Sequence, residues 1–243
     1  MIERDFRIFF ADRFLLVIMF VNFLIDLGVS GLTLSRMIQN VNLFGINNTY
    51  FLYIAPGANL VTATVAAFQS GRDVWREKII HNTQSYLLTL PFSKSNFALS
   101  RLISGMLRTT LTTLPGTVVI SVLYGLSVPY AMVGLLIMLV YSGAVCGLSV
   151  VAASLATSLE LFATVRSTVQ VYLSFFSTQF YPPSILPPVV ATLSSLNPMT
   201  WAVQAFRSLQ AGTVALGLFL PLSGLSGLLL LAGFLFYRRS MEF

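Results

Sequence analysis

The sequence predicts an all-α integral membrane protein with six transmembrane helices and both ends on the cytoplasmic side. Of its 243 residues, 56% are hydrophobic and 9% charged, and the mean hydropathy is +0.83, whereas a soluble domain carries about 25% charged residues. The apolar residues fall in long runs, each near the ~20 residues that span a hydrocarbon core. The lysines and arginines gather between those runs on alternate connections, as the positive-inside rule requires.

Residues 1–13 alternate charge (Glu3, Arg4, Asp5, Arg7, Asp12, Arg13) with Phe6, Phe9 and Phe10 at helical spacing, which predicts an interfacial helix with its rings in the headgroup boundary. Acidic residues ahead of the first run, with no small-residue cleavage site behind it, argue against a removable signal peptide. Spans are expected at 14–34, 51–70, 106–126, 131–156, 165–181 and 215–237. The fifth is short, and the sixth contains Pro221, whose freed backbone partner a neighbouring helix must satisfy. The chain reads as one domain, 1–243, in which two connections are long enough to hold structure: 71–105 and 182–214. With the N-terminus inside, Arg4, Arg7, Arg13, Arg72, Arg76, Lys78, Lys94, Arg101, Arg108, Arg166, Arg238 and Arg239 fall on the cytoplasmic side. Only Arg36 and Arg207 fall outside.

Several function classes drop out. The net charge of +6 reads as topology signal, because the basic residues flank apolar runs instead of forming a basic surface for nucleic acid. One histidine and one cysteine provide neither a catalytic set nor a metal cluster. The chain has no G-x-x-x-x-G-K-[ST] loop, so ATP would be hydrolysed by another polypeptide.

The inner connection opens with Arg72, Asp73, Trp75, Arg76, Glu77 and Lys78 and runs as an amphipathic stretch over 72–90 that Pro91 ends. Trp75, Ile79, Tyr86 and Leu90 line one stripe, interrupted by Asn82, and Arg72 and Arg76 share another face. An interfacial helix and a partner-docking helix both fit this pattern. In the outer connection Pro182 and Pro183 break the fifth helix, and Asn197-Pro198 opens a turn before a further short helix. That arrangement predicts a re-entrant hairpin over 182–214.

Polar groups inside the spans are few. Asn22 and Asp26 lie one turn apart on one face of the first span, and Asn59 follows Pro56 and Gly57 in the second. They belong either to a translocation path or to hydrogen bonds between helices. Arg101 and Arg108 are expected to snorkel to the headgroups, and Gly143-x-x-x-Gly147 offers a small-residue stripe for close helix packing.

Arg76-Glu77-Lys78, the stretch at 87–91 ending in Pro91, and the basic turn Ser93-Lys94 resemble the inner region of ABC-2-type transporter permeases. The proline-rich segment 181–188, Asn197-Pro198-Met199-Thr200 and the later Arg207 are similar to that family's outer region. Where the family has a Gly-Thr pair after Arg-Glu-Lys, this chain has Ile79-Ile80. The resemblance implies a coupling helix, with Arg72, Trp75, Arg76, Glu77, Lys78 and Ile79 facing an ABC ATP-binding subunit. It implies a homodimer or heterodimer of permeases in a prokaryotic cell membrane, ATP and Mg bound only by the partner subunit, and export of an amphipathic or lipid-like substrate. The residues alone leave a second reading, a secondary transporter or channel using Asp26 as an ion site.

Overall fold

The computed structural model describes residue 7 and residues 13–35, 41–43, 46–79, 93–182 and 186–241. The interfacial helix expected at 1–13 and most of the second half of the expected coupling helix, 80–90, lie outside the described residues. The helices are α1 (Arg13–Ser35), α2 (Tyr50–Ile79), α3 (Lys94–Leu123), α4 (Val128–Leu155), α5 (Leu159–Phe175), α6 (Pro188–Ser195), α7 (Pro198–Ser208) and α8 (Leu216–Ser240). The all-α expectation has one departure: β1 (Val41–Leu43) and β2 (Ile46–Asn48) pair antiparallel, Val41 opposite Asn48, in the connection between α1 and α2.

Among the described residues, five helices are long and apolar enough to cross a membrane: α1, α2, α3, α4 and α8. Within them the buried share of the apolar window is 78% for α2 and 61% for α4 but 22% for α1 and 17% for α8, so α2 and α4 form the centre and α1 and α8 the flanks. α3 packs on both central helices. α1 meets the bundle through one stripe, Met19, Phe23 and Leu27, while Phe14, Val17, Val21, Leu24, Ile25, Val29 and Leu32 face outward. Burial at every fourth position on an otherwise apolar helix identifies a single contact line.

The boundaries correct the sequence reading at two helices. α2 does not stop near residue 70 but continues unbroken to Ile79, and α3 starts at Lys94 instead of 106. The reason is charge compensation. Asp73 and Glu77, one turn apart on α2, meet Arg108 and Arg101 on antiparallel α3: Arg108 Nη1 donates to Asp73 Oδ2 at 2.9 Å, and Arg101 Nη2 donates to Glu77 Oε2. Arg101 and Arg108 therefore hold α2 to α3 where snorkelling was expected, and polar sequence that breaks the apolar pattern remains helical because each cation finds an anion across the seam. Further along α3, Thr109, Thr112, Thr113, Thr117 and Ser121 turn their hydroxyls back to carbonyls four residues earlier, which hides them from apolar surroundings.

Six spans were expected, and the fifth, α5, is not among the five long apolar helices. α5 covers 17 residues, begins at Leu159 and ends at Phe175, short of the expected 181. At 1.5 Å per residue it is about 26 Å long, slightly less than the ~30 Å hydrocarbon core. Its start packs Phe162 against Phe68 near the end of α2, at the end of the bundle where Trp75 Nε1 donates to Ala156 O and Lys78 Nζ donates to Ser154 O. Its finish lies at the opposite end, with the start of α2.

Glycines set the closest helix approach. A Cβ on Gly147 would stand 2.4 Å from the carbonyl oxygen of Leu229, and one on Gly233 would stand 2.9 Å from that of Gly147. The Gly143-x-x-x-Gly147 stripe is thus filled by α8 of the same chain. Gly147→Leu is expected to force α4 and α8 apart, at a cost of about 1–3 kcal/mol for overpacking. Size-exclusion yield and the thermal midpoint in detergent should both fall, while Gly217→Ala, where a Cβ meets nothing within 4 Å, should lower neither.

Candidate functional site

Three assemblies of polar side chains stand out along the bundle. The first lies at its basic end. α2 and α3 each hold 30 residues, about 45 Å of helix, and the Glu77–Arg101 pair ties them at this end. Trp75 is buried and donates Nε1 to Ala156 O at 3.0 Å; Lys78 donates Nζ to Ser154 O at 3.1 Å, at the C-terminus of α4. Of the six residues expected to face an ATP-binding subunit, Trp75, Glu77 and Lys78 thus turn toward the rest of this chain, Arg72 is half-buried, and Arg76 and Ile79 are exposed.

The second assembly caps the opposite end and is built on the proline-broken backbone. Pro56 lacks an N–H, so the carbonyl of Leu52 loses its helical donor; the Tyr124 hydroxyl supplies one at 2.9 Å. After α5 the chain leaves helical geometry over 176–182, and side chains bind its carbonyls one by one. Tyr50 donates to Phe180 O at 2.7 Å and Tyr53 to Thr178 O at 2.9 Å. Asn197 spans two helix ends: its Oδ1 caps α7 by accepting from Met199 N, and its Nδ2 donates to the carbonyls of Tyr172, Leu173 and Phe176. Thr200 Oγ1 accepts from Thr178 N. Pro198 stands at the first position of α7, where a missing N–H costs nothing.

Arg207, on the last turn of α7, completes the cap. Its Nε and Nη2 donate to Tyr53 O, Nη1 to Thr178 O and Nη2 to Gln179 O at 2.7–3.1 Å, and the Tyr53 ring lies 3.5 Å from the guanidinium carbon. The guanidinium is 3% exposed, so among the described residues its charge is met by backbone carbonyls and a π face instead of a carboxylate. The expected Asn-Pro-x-Thr and arginine elements are thereby one device. Pro182 ends the segment they hold, and Pro183 lies outside the described residues.

The third assembly is a cleft between α1, α2 and α5. Asp26, Ser30, Gln170, Ser174 and Gln179 provide its polar lining, with Phe175 and Phe180 beside them. Gln179 reaches it because residue 57 is glycine, where a Cβ would stand 2.2 Å from Gln179 Cγ. Asp26 enters this cleft; Asn22 is exposed one turn before it; Asn59 does not join them. Asn59 is buried between α2 and α3, donating Nδ2 to Thr117 Oγ1 at 2.9 Å and Thr113 O at 3.2 Å. Sequence reasoning missed Asp73, Tyr50, Tyr53, Tyr124 and Gln179. Acids at 73 and 77 facing bases at 101 and 108 were a readable signal, and Pro56 announced that Leu52 needs an outside donor.

Arg207→Leu should strip donors from the carbonyls of Gln179 and Tyr53 at a cost of about 2–4 kcal/mol, seen as a lower thermal midpoint in detergent. Arg207→Lys is expected to recover less than half of it, since an ammonium does not reproduce the planar fork. Midpoints equal to wild type would show that the cap finds other donors.

A family model described as ABC-2 type transporter matches residues 1–211, from the N-terminus through the end of α7 and the one-turn helix after it. No curated protein matches the chain. The family comprises the transmembrane component of ABC transporters, the part that works with an ATP-binding subunit and is not itself the ATPase. The long apolar helices agree with that match: the chain is a multi-pass membrane protein and a member of the ABC-2 type transporter family.

Proposed function

We propose that the chain is the permease half of an ATP-driven exporter, with six crossings, both ends cytoplasmic, and a second permease copy beside it in a prokaryotic cell membrane. The observation that carries this reading is the pairing of α2 and α3 at the basic end. Two helices tied by Glu77–Arg101 and Asp73–Arg108 move together when their ends are pushed. The opposite end of α2 carries Tyr50 and Tyr53, which hold the 176–182 segment and meet Arg207. A displacement at Ile79 therefore reaches the outer cap through one continuous helix.

In this reading the ATP-binding subunits hold ATP and Mg, close on them, and press on the inner ends of α2 and α3 and on the segment between them, which includes the expected coupling residues up to 90. The 182–214 region serves as a re-entrant cap at the outer exit, its irregular backbone covered by protein as membrane depth demands. α5, though about 26 Å long, counts as a crossing because it joins Phe68 at the basic end to Asn197 at the cap. Even parity then returns Arg238 and Arg239 to the cytoplasm. Asn22 and Asp26 face the path for an amphipathic or lipid-like cargo.

Co-purification with the ATP-binding subunit encoded beside this gene tests the pairing. Arg76→Glu combined with Ile79→Asp changes exposed residues only and should abolish a two-plus-two complex and its coupled ATP hydrolysis while leaving the permease midpoint unchanged. Trp75→Ala should lower the midpoint itself. A wild-type chain that purifies without an ATP-binding subunit and moves an ion at an Asp26-dependent rate would overturn the proposal.

A further inference from the structure

At the basic end, α2, α4 and α8 finish side by side and leave a groove of about 540 Å³, lined by Lys78, Ser154, Leu155, Phe236, Arg239 and Ser240. Its charge has one sign. Lys78 and Arg239 come from different helices, and no carboxylate lines the groove; Asp73 and Glu77, the acids nearest in sequence to Lys78, are paired with Arg108 and Arg101. The two hydroxyls do not alter that balance, because Ser154 Oγ donates to Val150 O and Ser240 Oγ to Tyr237 O within their own helices. Two cations that share one groove repel each other until an anion lies between them.

Helix C-termini attract cations by themselves, and Lys78 answers that attraction: its Nζ donates to Ser154 O at 3.1 Å. An ammonium has three donors, so this bond leaves two. Arg239 is exposed, and no hydrogen bond or ion pair joins it to another described residue. The groove also has a greasy rim. Leu155 is 59% exposed and Phe236 44%, on the flank of α8, whose apolar window is only 17% buried. Arg238 and Arg239 close α8 after an uncharged run long enough to span a membrane, which puts Arg239 at head-group level and Phe236, one turn earlier, beside the acyl chains. Basic pockets between membrane helices at that depth suit anionic head groups.

We propose that this groove is a binding site for an anionic phospholipid, its phosphate held between the Arg239 guanidinium and the Lys78 ammonium and its acyl chain laid over Phe236 and Leu155. The guanidinium offers two phosphate oxygens its planar fork, and the ammonium supplies a point charge. A free phosphate would make no use of Phe236 or Leu155. The bound lipid joins the ends of α2, α4 and α8, and it does so whatever the transporter carries and in whichever direction.

The test uses the full chain in detergent without any ATP-binding subunit. Native mass spectrometry follows the first lipid retained in titrations with phosphatidylglycerol and with phosphatidylcholine of the same acyl chains. A basic residue near an anionic surface is worth about fivefold in binding, so wild type should hold phosphatidylglycerol about tenfold tighter or more. Arg239→Gln and Lys78→Gln should each cut that preference about fivefold. Arg238→Gln removes the same charge from the next residue, which is also exposed but does not line the groove, and should leave the preference unchanged. Equal losses from Arg238→Gln and Arg239→Gln would reduce the effect to general surface charge and overturn the site, as would a preference that survives Arg239→Gln and Lys78→Gln combined. Displacement of the lipid by inorganic phosphate, but not by chloride of equal ionic strength, would overturn the lipid in favour of a soluble anion. Lipid retention unchanged in Arg239→Gln, together with weaker recruitment of the ATP-binding subunit, would make the groove a protein contact instead. None of these outcomes bears on the exporter reading, which its own co-purification decides.

Discussion

The constraint on which the rest of the structure depends is the cost of an unpaired backbone carbonyl in apolar surroundings. Inside a helix the chain meets it locally, but Pro56 and the 176–182 segment interrupt that local supply. Tyr50, Tyr53, Tyr124, Asn197, Thr200 and Arg207 answer the interruption from three other stretches of sequence, most of them bonding to backbone carbonyls and Thr200 to a backbone N–H. The cap is consequently a cross-link: the start of α2, the end of α3, the exit of α5 and both ends of α7 hold one another in place. A single guanidinium suits this post because it offers donors in several directions at once and remains charged under all ordinary conditions.

The opposite end solves a different problem, the burial of charge along a helix seam. Two carboxylates on α2 and two arginines on α3 are mutually compensating, so the charged stretches of both helices stay helical side by side. Taken alone such partly exposed pairs stabilise little; their value here is register. They fix which turn of α2 stands beside which turn of α3, and so convert two long helices into one element whose two ends move together.

Much of this was legible in the sequence. Hydropathy located the five long apolar helices, Asn197-Pro198 marked the start of α7, and the motifs around 76–78 and 197–200 pointed to the family that the match bears out. What was not legible shares one cause: periodicity describes a helix by itself, whereas its limits depend on what stands opposite. The end of α2 and the beginning of α3 were misplaced because Asp73, Glu77, Arg101 and Arg108 look like loop residues until they are paired. Asn59 resembled Asn22 and Asp26 in sequence, yet the bundle turns it toward Thr113 and Thr117. Arg207 was readable as an outer basic residue; its role as the donor hub depended on contacts with residues some 28 to 154 positions away.

The two flanking helices differ in how they adhere. α8 meets α4 main chain to main chain across Gly147 and Gly233, whereas α1 rests on α2 through a row of side chains at Met19, Phe23 and Leu27. Glycine contacts bring many atoms into range at once, and dispersion sums over them; a single row of side chains has fewer atoms to lose. Cohesion therefore differs between the two flanks, and the α1 seam is the looser of them. Anything that enters this protein sideways from the bilayer by parting α1 from α2 arrives beside Asp26.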